Sequence, residues 1–201
     1  MDASGSMETQ QRMVATKGAV LSLLRDSYVK RDRVGLIAFR DTVGEVVVPP
    51  TGSASQAAMQ LTWLASGGTT PLSIGLFAAV KTLEMERVRD PARKAILALI
   101  TDGRANVAYF GGEPLEEAVK IAKTIRKMKV TSLVIDADRM VAGPAALRSA
   151  MEATQKSART RGIFSDGPAR TVADAMGAKY FSLAEMSRSA ILKAIRSRMA
   201  L

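Results

Sequence analysis

The run Ala95-Ile96-Leu97-Ala98-Leu99-Ile100-Thr101 constrains this chain most. It has no polar residue before its last position, so it cannot have one wet face, as a sheet surface open to solvent would require. A strand that is apolar on both sides belongs inside a parallel sheet with layers above and below. The chain around it fits that demand. Short apolar runs at 34–39, 130–135 and 179–183 alternate with longer stretches patterned for helices, at 7–30, 54–65, 71–86, 114–128 and 184–199. Strands alternating with helices of this length predict an α/β fold, a doubly wound sheet with helices on both faces. One connection departs from the pattern. Residues 40–44 are too few to cross over, so 34–39 and 45–48 must form an antiparallel hairpin, and Pro49-Pro50 places its second strand at an edge. The sheet is therefore mostly parallel with one antiparallel edge strand. The helix spacing predicts inward faces of Met13, Val20, Leu21, Leu24 and Tyr28, then Ala57, Leu61 and Leu64, then Leu72, Leu76, Ala79 and Leu83. Trp63 is expected in the core or at its rim.

In open sheets of this kind ligands sit beyond the carboxyl ends of the strands. The central run ends there in Asp102-Gly103. Two more stretches carry similar chemistry. Asp2-Ala3-Ser4-Gly5-Ser6-Met7 sets one carboxylate and two hydroxyls at alternating positions, and a loop curling through Gly5 can turn all three to one point. Gly67-Gly68-Thr69-Thr70-Pro71-Leu72 is a glycine turn with hydroxyls, followed by a proline suited to open a helix. Hard oxygen donors aimed at one point suit Mg²⁺ or Mn²⁺. Taken singly, the first stretch reads first as a plain helix N-cap at Ser4 or Ser6.

Composition excludes other chemistries. The chain has no cysteine and no histidine, so it offers no disulfide, no thiolate site, no imidazole base and no ordinary zinc site. It has no glycine-rich phosphate loop ending in Lys-Ser or Lys-Thr, and no apolar run near the ~20 residues of a membrane span. The net charge of +10 is uneven. Residues 1–119 hold 13 basic and 13 acidic side chains, whereas residues 120–201 hold 16 and 6. Such asymmetry suits an acidic protein partner or a solvated basic face. Aromatics for stacking bases are too few to favour nucleic acid.

The three stretches together, D-x-S-x-S, then T, then D, resemble the metal-ion-dependent adhesion site of von Willebrand factor A (integrin I-like) domains. The resemblance implies a Rossmann-like fold and a Mg²⁺ or Mn²⁺ site at Asp2, Ser4, Ser6, Thr70 and Asp102. Thr70 is the implied ligand, not Thr69, because it directly precedes Pro71-Leu72. Residues 2–7, 30–39, 47–51 and the run Thr101-Asp102-Gly103-Arg104-Ala105-Asn106-Val107 are similar to the C-terminal domain of magnesium chelatase D subunits. That implies an adaptor without catalysis of its own. It would bridge an ATPase subunit and a porphyrin-binding catalytic subunit, in the cytoplasm or a plastid stroma, and take a carboxylate from a partner at the metal. A cobaltochelatase-type accessory subunit, or a stand-alone binding module, is the other reading of the same residues. Two departures from the family pattern are expected. The apolar central strand that precedes D-x-S-x-S in the family has no counterpart before Asp2, so 34–39 and 95–101 should lack their shared neighbour. Residues 139–165 read as an insertion with a helix over 144–158.

Overall fold

The computed structural model describes residues 1–7, 10–137 and 167–182. The order along the chain is a single 3₁₀ turn (Gly5–Met7), then α1 (Gln10–Lys30), β1 (Val34–Arg40), β2 (Val43–Thr51), α2 (Ala54–Trp63), α3 (Leu72–Arg89) and β3 (Ile96–Thr101). It continues with α4 (Pro114–Lys127), β4 (Thr131–Asp136), α5 (Pro168–Met176) and β5 (Lys179–Ser182). Residues 139–165 and 184–199, where the sequence predicts an insertion and a closing helix, lie outside the described residues.

β3, β4 and β5 pair in parallel in that order, with Ile100 opposite Ile135 and Thr101 opposite Asp136. β1 and β2 form the antiparallel hairpin, joined by the two residues Asp41 and Thr42. The hairpin strands run longer than expected, because Val43 already pairs with Arg40 and Thr51 with Val34. Asp41 takes a left-handed backbone (φ 54°), as a turn this tight requires.

Residues 1–3 correct one expectation. They lie between the hairpin and the parallel sheet and bond to both. The Asp2 N–H donates to the Ile100 carbonyl at 2.8 Å, and the Ala3 N–H to that of Phe39 at 3.0 Å. Phe39 returns its own N–H to Met1, and Asp2 forms an isolated parallel bridge with Phe39. At their carboxyl ends, then, β1 and β3 do share a neighbour. Toward their amino ends none lies between them among the described residues, and β3 grades from exposed at Ile96 to buried at Leu99.

The strands alternate their side chains between two cores, as period-two geometry dictates. Leu36, Ile100 and Ile135 face α1 and α2, packing with Met13, Val20, Leu24, Ala57 and Leu61. Phe39, Leu99 and Val134 face α3, α4 and α5, packing with Leu72, Leu76, Ala118, Ile125, Val172 and Met176. Each fully buried side chain of this size contributes about 1.5–3 kcal/mol, so both layers are needed to hold the sheet. Helix faces were legible in part. In α1 the buried stripe is Met13, Thr16, Val20, Leu24 and Ser27, while Leu21 and Tyr28 are exposed. Those two stand one position off the 3.6-residue stripe. Trp63, at the last turn of α2, is exposed and is neither core nor rim. Leu64 and Leu83 are only half-buried.

Candidate metal centre

Three segments meet at the carboxyl ends of β1 and β3, each held there by backbone contacts. Residues 1–3 are pinned between the two strands, as described. The loop 67–70 is zipped onto the first segment: the Gly67 N–H donates to the Ala3 carbonyl at 2.9 Å, and the Gly5 N–H to that of Gly68 at 2.8 Å. Gly68 has φ 76°, and a Cβ there would stand 1.7 Å from an Asp41 carboxylate oxygen, so this position needs glycine. The third segment is the end of β3, where Gly103 turns with φ 77° against Ala169 at the start of α5.

Four of the side chains named from sequence, Asp2, Ser4, Ser6 and Thr70, are joined in one network, and the fifth, Asp102, lies near enough for its charge to act on Asp2. Ser4 is the hub. Its hydroxyl donates to Asp2 Oδ1 at 2.5 Å, accepts from Thr70 Oγ1 at 2.8 Å and stands 2.9 Å from Ser6 Oγ. These are partners within the cluster, not helix N–H groups, so among the described residues Ser4 does not act as an N-cap. Thr69 turns away and donates its hydroxyl to the Asp41 carbonyl. Asp2 and Ser4 are fully buried, and Thr70 and Asp102 nearly so.

The two carboxylates are placed differently. Asp2 is saturated: Oδ1 also takes the Ser4 N–H at 3.0 Å, and Oδ2 takes the Thr101 hydroxyl at 2.6 Å. Burial pushes its pKa up, the bonds from Ser4 and Thr101 work against that, and the nearby Asp102 charge adds to it, leaving it raised. Asp102 uses Oδ1 to accept the Arg104 N–H at 3.0 Å. Its Oδ2 is buried without a hydrogen bond, and the Arg104 side-chain Nε stands 3.7 Å off. An oxygen of this kind is costly to bury unless something polar completes it.

A hard divalent ion fits this donor set. Oxygens held at right angles by an ion at ~2.1 Å are about 3.0 Å apart. The Ser4–Ser6 and Ser4–Thr70 separations of 2.9 and 2.8 Å are those of the hydrogen bonds that join them, so an ion could replace those bonds with little movement of the oxygens. Among the described residues no three carboxylate, imidazole or thiolate groups come together. The set therefore relies on hydroxyls, with Asp102, an unsatisfied acceptor, near Asp2.

Two contributors were not singled out from sequence. Thr101 orients Asp2 from across the sheet and also accepts the Gly103 N–H at 3.0 Å. Asn106 clamps Thr70 from both sides, its side-chain Oδ1 taking the Thr70 N–H at 2.6 Å and its own N–H donating to the Thr70 carbonyl at 3.2 Å. The run 101–107 contained both residues, but nothing in its spacing says which strand or loop they face.

A hairpin and a parallel sheet with helices on both faces make a Rossmann-like α/β fold. Residues 1–104 match the model of the von Willebrand factor type A domain, and the chain belongs to that family. Among proteins similar to it, an uncharacterized protein of Mycobacterium tuberculosis is 41% identical over 138 residues, 69% of this chain and 22% of that protein. The magnesium-chelatase 60 kDa subunit of Cereibacter sphaeroides is 39% identical over 158 residues, 76% of this chain and 28% of that subunit. The chain thus spans less than a third of the length of these relatives. In fold it is similar to the crystal structure of BatB from Bacteroides thetaiotaomicron, with TM-score 0.68, 18% identity and coverage of 100% of this chain and 96% of that one. Among the described residues no helix is long and apolar enough to cross a membrane.

Proposed function

We propose that this chain is a metal-dependent docking domain of a magnesium-chelatase-type assembly. The observation that carries the reading is a buried Asp102 Oδ2 without a hydrogen bond, on a carboxylate near Asp2, whose partner Ser4 stands in a series of three hydroxyls 2.8–2.9 Å apart. Ser4, Ser6 and Thr70 would hold Mg²⁺ or Mn²⁺ directly. Asp2, already saturated by Ser4 and Thr101, acts by orienting Ser4, and Asp102 balances charge at the rim of the set. When bound, the cation supplies an electrophilic position for a carboxylate brought by a partner. The residues around it do the rest: Asn106 fixes Thr70, and Thr101 fixes Asp2. The domain carries no histidine, and Asp2 is held by Ser4 and Thr101, so the reading assigns the cation to docking and not to hydrolysis. In the assembly the partners are an ATPase subunit and a porphyrin-binding subunit, and the reaction served is ATP-dependent Mg²⁺ insertion into protoporphyrin IX.

A second reading has its own support. The uncharacterized mycobacterial relative is slightly more similar than the chelatase subunit, 41% against 39%. That favours keeping a cobaltochelatase-type accessory subunit or a stand-alone docking module as the alternative. Calorimetric titration of the chain with MgCl₂ and MnCl₂ tests the site. Asp102→Ala is expected to weaken binding tenfold or more, about 1.4 kcal/mol. Equal affinity in the variant overturns it. Titration with the ATPase and porphyrin-binding subunits then separates the two readings, since only the first expects either to bind.

A further inference from the structure

The loop that leaves β3 does two jobs in sequence. Its first half supplies Asp102 and Asn106 to the cluster. Its second half turns outward and is then held rigid. The N–H groups of Tyr109, Phe110 and Gly112 all donate to the Glu117 carboxylate in the first turn of α4, at 2.7, 2.9 and 2.9 Å. Glu117 is itself buried. A buried carboxylate is tolerated only when hydrogen-bonded, and here three backbone N–H groups of one loop supply those bonds.

What that loop presents is aromatic. Tyr109 stacks on Phe77 of α3, with centroids 6.5 Å apart and rings at 27°. Phe110 meets Phe77 edge-on at 6.3 Å and Tyr109 edge-on at 4.9 Å. All three face solvent, at 36% exposed for Phe77, 56% for Tyr109 and 65% for Phe110. The whole chain holds only five phenylalanines, three tyrosines and one tryptophan. Single exposed apolar residues need no explanation, whereas a contiguous and rigid aromatic patch marks a contact surface.

Position says what would cover it. Lys81, which lies 5.5 Å from the Phe77 ring centroid, is paired with Glu84 at 3.2 Å, and Arg104 with Asp102 at 3.7 Å, so the acid expected of a partner is the one the cluster takes. The patch is also continuous with the cluster, since one loop builds both. Phe77 is seven residues beyond Thr70, five of them within α3 from Leu72, or about 10 Å at ~1.5 Å each. An extended chain covers that in about three residues at ~3.3 Å each.

We propose that Phe77, Tyr109 and Phe110 form an aromatic ledge for a large apolar side chain of an acid-bearing protein segment, about three residues from the carboxylate that the cluster takes. This rests on the docking reading above and adds its specificity: the site reads an acid and a hydrophobic residue at fixed spacing, not an acid alone.

The probe is a display library of linear peptides with one central Asp or Glu and randomised flanks, panned on the full chain in MgCl₂ and MnCl₂ and again in EDTA. The expected outcome is metal-dependent binders enriched in Leu, Ile, Phe or Trp about three positions from the acid. Their affinity should fall at least tenfold in a Tyr109→Ser/Phe110→Ser variant whose thermal melt is unchanged. Binders that need metal but show no apolar enrichment, or that bind the double variant equally, overturn the ledge and leave the metal reading standing. Binders with the apolar signature that ignore EDTA and Ser6→Ala keep the aromatic surface but overturn its link to the cluster. Self-association that the double variant abolishes, with no peptide enriched, assigns the patch to a second copy and overturns the proposal. No binder under any condition overturns it as well.

Discussion

Asp2 shows how much a single residue can be asked to do. It is buried, it accepts three hydrogen bonds, and it sits near a second carboxylate. Burial, helped by Asp102, outweighs those bonds and raises its pKa. A raised carboxyl takes up protons in the folded state before it does so unfolded. Its ionisation therefore weakens the metal-free fold as pH rises from the unfolded value toward the folded one, and that stability is fully present only below the unfolded value. Protons and cations also compete for the same cluster. Divalent affinity should fall as pH drops, beginning above the ~3.9 at which an ordinary aspartate titrates. Titration calorimetry at several pH values checks this. The steep part of the profile should vanish in Asp2→Asn, and an unchanged profile there would assign the proton to another group. Of the residues around Asp2, Ser4 and Ser6 were legible from type and spacing, while Thr70, in place of Thr69, and Asp102 were named through the family resemblance. Thr101 was not, because its hydroxyl matters only once Asp2 is docked beside Ile100.

At the scale of elements, α4 is more than a covering helix. Its first turn carries Glu116 and Glu117, which favour a helix N-terminus by charge alone. The structure gives Glu117 a second task, the capture of the 109–112 backbone. Burial pushes the Glu117 carboxyl up, and the N–H groups of Gly112, Tyr109 and Phe110 more than reverse it, leaving the pKa below the usual range. A lowered carboxyl contributes stability above its unfolded value, and that contribution is lost as pH falls through the folded value. Slow amide hydrogen exchange at Tyr109, Phe110 and Gly112 is thus expected to persist at pH 5 and to fade only below the ordinary Glu range near ~4.3. In Glu117→Ala the three amides should exchange at open-loop rates at every pH. If they stay protected, something other than Glu117 holds the loop.

Across the whole molecule, the cluster is the junction between two pieces of sheet. The hairpin of β1 and β2 and the sheet of β3, β4 and β5 are joined through residues 1–3, and the loop 67–70 closes over that junction. An ion held there ties segments far apart in the chain, from Ser4 to Asp102. Ligands that bind only the folded state stabilise it by mass action, about 2.7 kcal/mol at a hundredfold excess over Kd. For a chain of this size that is a rise in Tm of about 5–10 °C. Scanning calorimetry with and without MgCl₂ should show it, and Ser6→Ala should melt at one temperature in both. A wild-type melt that saturating Mg²⁺ leaves unmoved would sink the idea that the cation bridges the junction.

Local pattern by itself determined the class of fold. The apolar runs, the helix periods and the short 40–44 connection allow little besides a covered, mostly parallel sheet with an antiparallel edge. The same local pattern marked the donors, since carboxylates and hydroxyls flanking glycine are visible as residue types. Tertiary structure alone decided three things. It placed residues 1–3 between β1 and β3, which supplies Asp2 with the fixed backbone that its own short run could not promise. It sent the Thr69 hydroxyl to Asp41 and the Thr70 hydroxyl to Ser4, with Asn106 as the clamp. It left Tyr28 and Trp63 in solvent while gathering Phe77, Tyr109 and Phe110 into one patch. The reason is common to all three. Periodicity records which residues share a face of one element, but hydrogen bonds and ring contacts between residues 66 or 99 positions apart depend on register, and register is set only when the layers pack.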